Sequence, residues 1–167
     1  MKLKTLVLFF FLSLQFVYGA KLYDFKLKDT ENKRMSYSEL KGEKVTIIDF
    51  WATWCKPCIR SIPKLVELYE EYSDKGVRMI GISVDSPQNA QKVKPFARSL
   101  GITYPVLLDM NSEIMAKLNV TVLPTILLVD DQDEIVLIHQ GYRPGDEKFI
   151  AEEIDKILKS KDSAEKE

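Results

Sequence analysis

The clearest pattern in the chain is Lys44-Val45-Thr46-Ile47-Ile48-Asp49-Phe50-Trp51, a β-branched apolar run broken by one carboxylate. Such a run predicts a strand buried on both faces, the best candidate for the centre of a sheet. From Pro57 onward the apolar positions change period: Ile59, Ile62, Leu65, Val66, Leu68, Tyr69 and Tyr72 fall at helical spacing, and Gly76 follows as a stop signal. Residues 77–84 return as a strand. Asp85-Ser86-Pro87 then offers a cap for a helix reaching Leu100 and stopped by Gly101, with Pro95 expected to kink or break it.

The remaining pattern supplies a strand over 104–108, a short helix over 112–118 closed by Asn119, and a hairpin of strands 125–129 and 135–139 about an acidic turn. A loop over 141–145 leads into a closing amphipathic helix over 146–159. At the front, residues 23–27 alternate as an edge strand before the turn Asp29-Thr30-Glu31-Asn32, and 35–40 read as a helical turn. Strands alternating with helices imply an α/β domain with a mainly parallel central sheet and an antiparallel edge.

The first residues read differently. Lys2 and Lys4 precede an uncharged run over 5–18 and the small residues Gly19 and Ala20, the pattern of a secretory signal. The organisation expected is a signal peptide over 1–19, cleaved after Gly19, one domain over 20–159 and a charged flexible tail over 160–167. Retention of the leader as a membrane anchor is the rival, disfavoured because the run is shorter than the roughly 20 residues that cross a bilayer. An extracytoplasmic or periplasmic location follows.

A formal net charge of −1 gives no field for a phosphate backbone, so nucleic acid is not an expected partner. The chain has two cysteines, Cys55 and Cys58, in Trp54-Cys55-Lys56-Pro57-Cys58. A disulfide that closes so short a loop stabilises little, which makes chemistry the better explanation. The pair falls where the buried strand ends and the helix begins, where unpaired N–H groups and the positive helix end stabilise a thiolate. Pro57 suits the first helical turn, and the cation of Lys56 favours the thiolate as well, though a solvated surface lysine explains it equally. Cys55 is expected to be the exposed attacking thiol and Cys58 the buried resolving thiol one turn deeper.

Asp49, buried in its strand, should have a raised pKa and be able to take the Cys58 proton. The alternative turns it to solvent at the strand end. No cofactor is expected beyond the redox-active disulfide Cys55–Cys58, and no metal: zinc would need four ligands, and His139, the one histidine, reads as a partly buried structural residue. A copper- or zinc-binding module is the non-enzymatic rival.

The stretch Ile48-Asp49-Phe50-Trp51-Ala52-Thr53-Trp54-Cys55-Lys56-Pro57-Cys58 resembles the active-site segment of the thioredoxin superfamily, and Val122-Leu123-Pro124-Thr125 resembles its cis-proline loop. The resemblance implies a thioredoxin-like fold, a mixed sheet flanked by helices. It makes Pro124 cis, lets Leu123 offer main-chain contact to an extended substrate, and sets Asp49 on the family's buried aspartate. Trp54, Lys56 and Pro57 are expected to meet substrate beside them.

Extra strand and helix material around 85–108 resembles the TlpA/ResA branch. That branch implies an exported reductase of protein disulfides, including those of apocytochrome c, served by a membrane electron donor; a monomer is expected. Pro63 fits the pattern; Ser61 departs from it, standing where many of these proteins carry glutamate. A peroxiredoxin-like peroxidase is the enzymatic rival, sharing the Ser83-Val84-Asp85 strand end. Its threonine, however, lies three residues before the reactive cysteine, whereas Thr53 lies two before Cys55.

Overall fold

A computed structural model describes residues 20–164. The expected leader over 1–19 and the last residues of the expected tail lie outside them. Seven strands form one sheet in the order β2-β1-β5-β4-β3-β6-β7. The strands are β1 (Lys26–Asp29), β2 (Arg34–Ser36), β3 (Val45–Trp51), β4 (Val77–Ser83), β5 (Val106–Leu108), β6 (Thr125–Asp130) and β7 (Ile135–Gln140). The helices are α1 (Tyr37–Leu40), α2 (Lys56–Tyr72), α3 (Ala90–Ser99), α4 (Glu113–Lys117) and α5 (Asp146–Ala164). β3, β4 and β5 run parallel, β6 and β7 add an antiparallel edge, and β1 lies antiparallel to β5. This is the mixed sheet the sequence predicts.

All of β3 is buried, as its continuous apolar character requires of a strand covered on both faces. α2 turns its buried residues Ile62, Leu65, Val66 and Leu68 to the core, passes through Pro63, and ends in a 3-10 turn closed by Gly76 at φ 82°. That φ is left-handed, where glycine carries no Cβ penalty. Behind it Gly42 lies so close to the backbone that a Cβ there would stand 2.1 Å from the Val45 carbonyl oxygen.

The front of the chain departs from the expected pattern. β1 starts at Lys26 and is interior, and the edge strand is β2, which takes Met35 and Ser36 from the expected helical turn. Phe25 explains the shift: its ring stacks on Tyr37 at 5.7 Å and its carbonyl accepts the Tyr37 amide, so Phe25 packs into the core ahead of the strand. α3 begins at Ala90 with Asn89 at its N-cap, not after a cap at Asp85, and runs through Pro95 without ending there. At the other end α5 continues to Ala164, beyond the expected stop at 159, and Lys161 pairs with Asp130 and Asp131. That ion pair holds part of the expected tail in the helix.

The turn joining β6 to β7 lies at the Val45 end of β3, because Asp130 stands opposite Val45. The first described residues attach there: Ile135 donates to the Ala20 carbonyl at 3.0 Å and Leu22 donates to Asp133 at 2.7 Å.

Candidate functional site

Cys55 occupies the N-cap position of α2, in extended conformation, with Pro57 in the first helical turn. Its sulfur is bonded to Cys58 at 2.04 Å, and the Cys58 amide donates to that same sulfur at 3.2 Å. A helix N-terminus thus directs an unpaired N–H at Cys55 Sγ, as a thiolate there requires. Cys58 is fully buried. In the disulfide form Cys55 is also buried, at 4% exposure, which corrects the expectation of an exposed sulfur. The loop wraps the bonded pair, and what separates the two cysteines is the cleft that Cys55 borders and Cys58 does not.

That cleft, about 530 Å³, is lined on one side by Trp54, Lys56 and Pro57 and on the other by Val84, Met115 and Leu123. Trp54 is 63% exposed and Lys56 also faces solvent. Pro124 is buried, its bond from Leu123 is cis, and its carbonyl accepts the Gly141 amide at 2.8 Å. The structure therefore brings Trp54, Cys55, Lys56, Pro57 and Leu123 to one surface. Ser61 is buried and donates to the Cys58 carbonyl at 3.0 Å, so it completes the helix rather than carrying a charge beside the disulfide.

Asp49 is fully buried, not turned to solvent, and among the described residues neither carboxylate oxygen has a hydrogen-bond partner. Burial pushes its pKa up to about 7, the range in which a carboxyl can exchange protons at neutral pH. His139 is bound at 2.9 Å to Asp146, where it joins β7 to the start of α5.

Two further carboxylates hold the site without touching the disulfide. Asp85, 1% exposed, accepts the Thr53 amide at 2.9 Å and the Thr53 hydroxyl at 2.6 Å, and the Ser83 hydroxyl at 2.9 Å. It ties the loop before Cys55 to the end of β4. The Asp-Ser-Pro run that reads as a helix cap hides this role, since its carboxylate serves a loop amide far away in sequence. Asp109, 2% exposed, accepts the amides of Glu113, Ile114 and Met115 and so fixes the start of α4, whose Met115 lines the cleft.

A Cys-x-x-Cys disulfide at a helix N-terminus, bordering one cleft with a cis-proline loop on a thioredoxin-like fold, is the arrangement of a thiol-disulfide oxidoreductase. The AhpC/TSA family model matches residues 18–138 of this chain, and the chain belongs to that family. It is 36% identical over 118 residues to thiol-disulfide oxidoreductase ResA of Bacillus thuringiensis (strain Al Hakam), a match covering 71% of this chain and 66% of that relative. Among solved structures, it is similar to a thioredoxin-like protein from Porphyromonas gingivalis at TM-score 0.70 and 39% identity, covering 83% of this chain and 92% of that one. It is also similar to a thiol:disulfide interchange protein of the thioredoxin family from Chlorobium tepidum TLS, at TM-score 0.71 and 26% identity, covering 84% and 97%.

Proposed function

We propose that the protein is an exported reductase of protein disulfides. The observation that carries the roles is the asymmetry of the pair: Cys55 borders the cleft and accepts the Cys58 amide, while Cys58 is sealed behind it. In the reduced protein the Cys55 thiolate attacks a client disulfide, forming a mixed disulfide and releasing one client thiolate. Asp49 takes the proton of Cys58. The Cys58 thiolate then attacks Cys55 Sγ, the second client thiolate leaves, and two electrons have passed to the client as Cys55–Cys58 closes. An external dithiol, supplied from the membrane, reopens it.

Trp54, Lys56, Pro57 and the Leu123-Pro124 backbone are the surface offered to an extended client segment, and the apolar lining of the cleft suits one with apolar side chains. The lysines and uncharged run before Ala20 support export. The TlpA/ResA resemblance supports apocytochrome c among the clients, and Ser61 in place of glutamate supports a wider range.

Cys55→Ser is expected to abolish reduction of a protein disulfide, and Cys58→Ser to trap the client on Cys55 as a mixed disulfide. Near-normal turnover by the Cys55 variant overturns the mechanism. The direction is read from the potential of the pair: near or below about −250 mV it is a reductase, and near about −120 mV an oxidant. N-terminal sequencing of protein from the extracytoplasmic fraction tests cleavage after Gly19.

A further inference from the structure

The sheet has two edges, and the chain treats them differently. At one, β2 is three residues long and carries Arg34, which stands directly opposite Lys28 of β1. Short strands and charges are what keep a sheet edge from pairing with another chain. At the other, β7 runs for six residues, Ile135-Val136-Leu137-Ile138-His139-Gln140, without an acidic residue, a lysine, an arginine or a proline. Val136 and Ile138 are 47% and 52% exposed on its open face. On the opposite face the exposed Phe149 ring packs on His139 at 5.8 Å. Apolar side chains thus flank this edge on both sides.

Part of the edge is already paired. Ala20 to Leu22 lie antiparallel to its start: Lys21 bridges Glu134, Ile135 donates to the Ala20 carbonyl at 3.0 Å and Leu22 donates to Asp133 at 2.7 Å. The edge is therefore one that accepts an antiparallel strand. Beyond Ile135, residues 136–140 make no backbone hydrogen bond outside their pairing with β6 among the described residues. Leu137 to Gln140 hold an unbroken register with β6, and the one irregularity, at Val136, falls next to the covered end. Gly141, at φ 81°, turns the chain after Gln140. What stays open is a short stretch centred on Ile138. The charges at its two ends are opposite, Glu134 before it and Arg143 after it, and neither forms a salt bridge among the described residues.

We propose that β7 pairs with β7 of a second copy of this chain, antiparallel about a two-fold axis at Ile138, so that two sheets join into one. A two-fold operation makes a surface its own partner, which requires that the surface complement itself. About Ile138, residues 136–140 of one copy lie along 140–136 of the other, Ile138 meets its own counterpart, and the contact ends where Ala20 begins to cover the edge. The same operation brings Glu134 of each copy toward Arg143 of the other. An uncharged middle flanked by opposite charges opposes no like charges across the pair. A stretch of this length spans about 17 Å at roughly 3.4 Å per residue, a contact at the low end of specific interfaces. The dimer is accordingly a weak one, with a dissociation constant between about 10 μM and about 1 mM. The copies run in opposite directions and their Ala20 ends lie at opposite poles, so the pairing belongs to chains released from the leader.

The test is sedimentation equilibrium of protein recovered from the extracytoplasmic fraction, from about 10 μM to about 1 mM at low salt, with a thermal melt to show that each variant is folded. The average mass is expected to rise from one chain toward two. Ile138→Lys, at a half-exposed position, sets two ammonium groups against each other at the axis and should weaken association about tenfold or more. Glu134→Arg opposes two arginines at each end and should weaken it about threefold, and adding Arg143→Glu, which exchanges the two charges, should restore it. A single-chain mass throughout the range overturns the proposal and leaves the edge to another occupant, such as an extended client segment. A dimer that folded Ile138→Lys leaves intact overturns it as well, because the contact then lies elsewhere. A dimer weakened by Ile138→Lys but unchanged by Glu134→Arg overturns the two-fold register at Ile138.

Discussion

Thr53 and Asp85 lie thirty-two residues apart in sequence and are joined by two hydrogen bonds, one from the Thr53 amide and one from its hydroxyl. The carboxylate is 1% exposed and also accepts from Ser83, so the loop that carries Trp54 and Cys55 is fastened to the end of β4 by a charged acceptor. Hydrogen bonds to a charged group contribute about 1.5–3 kcal/mol each, more than neutral ones.

Thr53→Val removes one of these bonds and is expected to cost about 2 kcal/mol, with a fall of about 4–8 °C in Tm. Asp85→Ala strips all three donors of their acceptor and should cost more. Denaturant titration measures the loss. Because the fastening ends two residues before Cys55, both variants should also slow attack on a small disulfide, and equal rates in a folded variant would confine Asp85 to stability.

Burial of Asp49 makes stability depend on pH. The folded carboxyl holds its proton up to about pH 7, while an unfolded aspartate releases it near 3.9. The stability that protonation contributes is fully present below about pH 4 and is lost as pH rises to 7. At about 1.4 kcal/mol for each tenfold step in proton affinity, the loss is on the order of 4 kcal/mol. Asp49→Asn should therefore match the wild type near pH 4 and exceed it in stability at pH 8. A constant difference across that range would show that the carboxyl is charged at both ends.

The cleft beside Cys55 depends on α4. Met115→Lys places a charge on its apolar wall and should raise KM for a protein disulfide about tenfold, the weight of ~1.4 kcal/mol, while leaving kinetics with a small disulfide unchanged. Asp109→Ala leaves the amides of Glu113, Ile114 and Met115 without their acceptor and should act on the same KM while costing about 2–4 kcal/mol of stability. Steady-state kinetics with both substrate types checks each.

Gly42→Ala would drive its Cβ to 2.1 Å from the Val45 carbonyl oxygen and 2.9 Å from the Arg78 amide nitrogen, both backbone atoms of the sheet. No side chain can give way there. Expression of insoluble protein, or a loss above about 4 kcal/mol, is expected; a normal melting curve would show that the loop can move as a unit.

Much of this was legible in the sequence because it depends on local pattern. The apolar run of β3, the period of α2 and the Cys-x-x-Cys spacing each state their role within a dozen residues, and the site follows from their junction. The fastening by Asp85 and the open edge at β7 were not legible, because they arise from which strands pair and in what order. Asp85 beside Ser86 and Pro87 carries a strong local helix-start signal, and the Thr53 amide and hydroxyl outweighed it. The buried state of Cys55 was hidden for another reason: a helix N-terminus promises access to the thiolate, not to the closed disulfide.

The attachment of residues 20–22 at the β6–β7 turn fixes a direction for the whole molecule. β3 runs from that end to the loop that carries Cys55, a rise of roughly 20 Å at about 3.3 Å per residue. Whatever precedes Ala20 therefore joins the molecule at the pole opposite the disulfide. A protein moored by that end would hold its working sulfur outward, like a hand at the end of an arm, presented to clients in the surrounding space rather than pressed against the mooring.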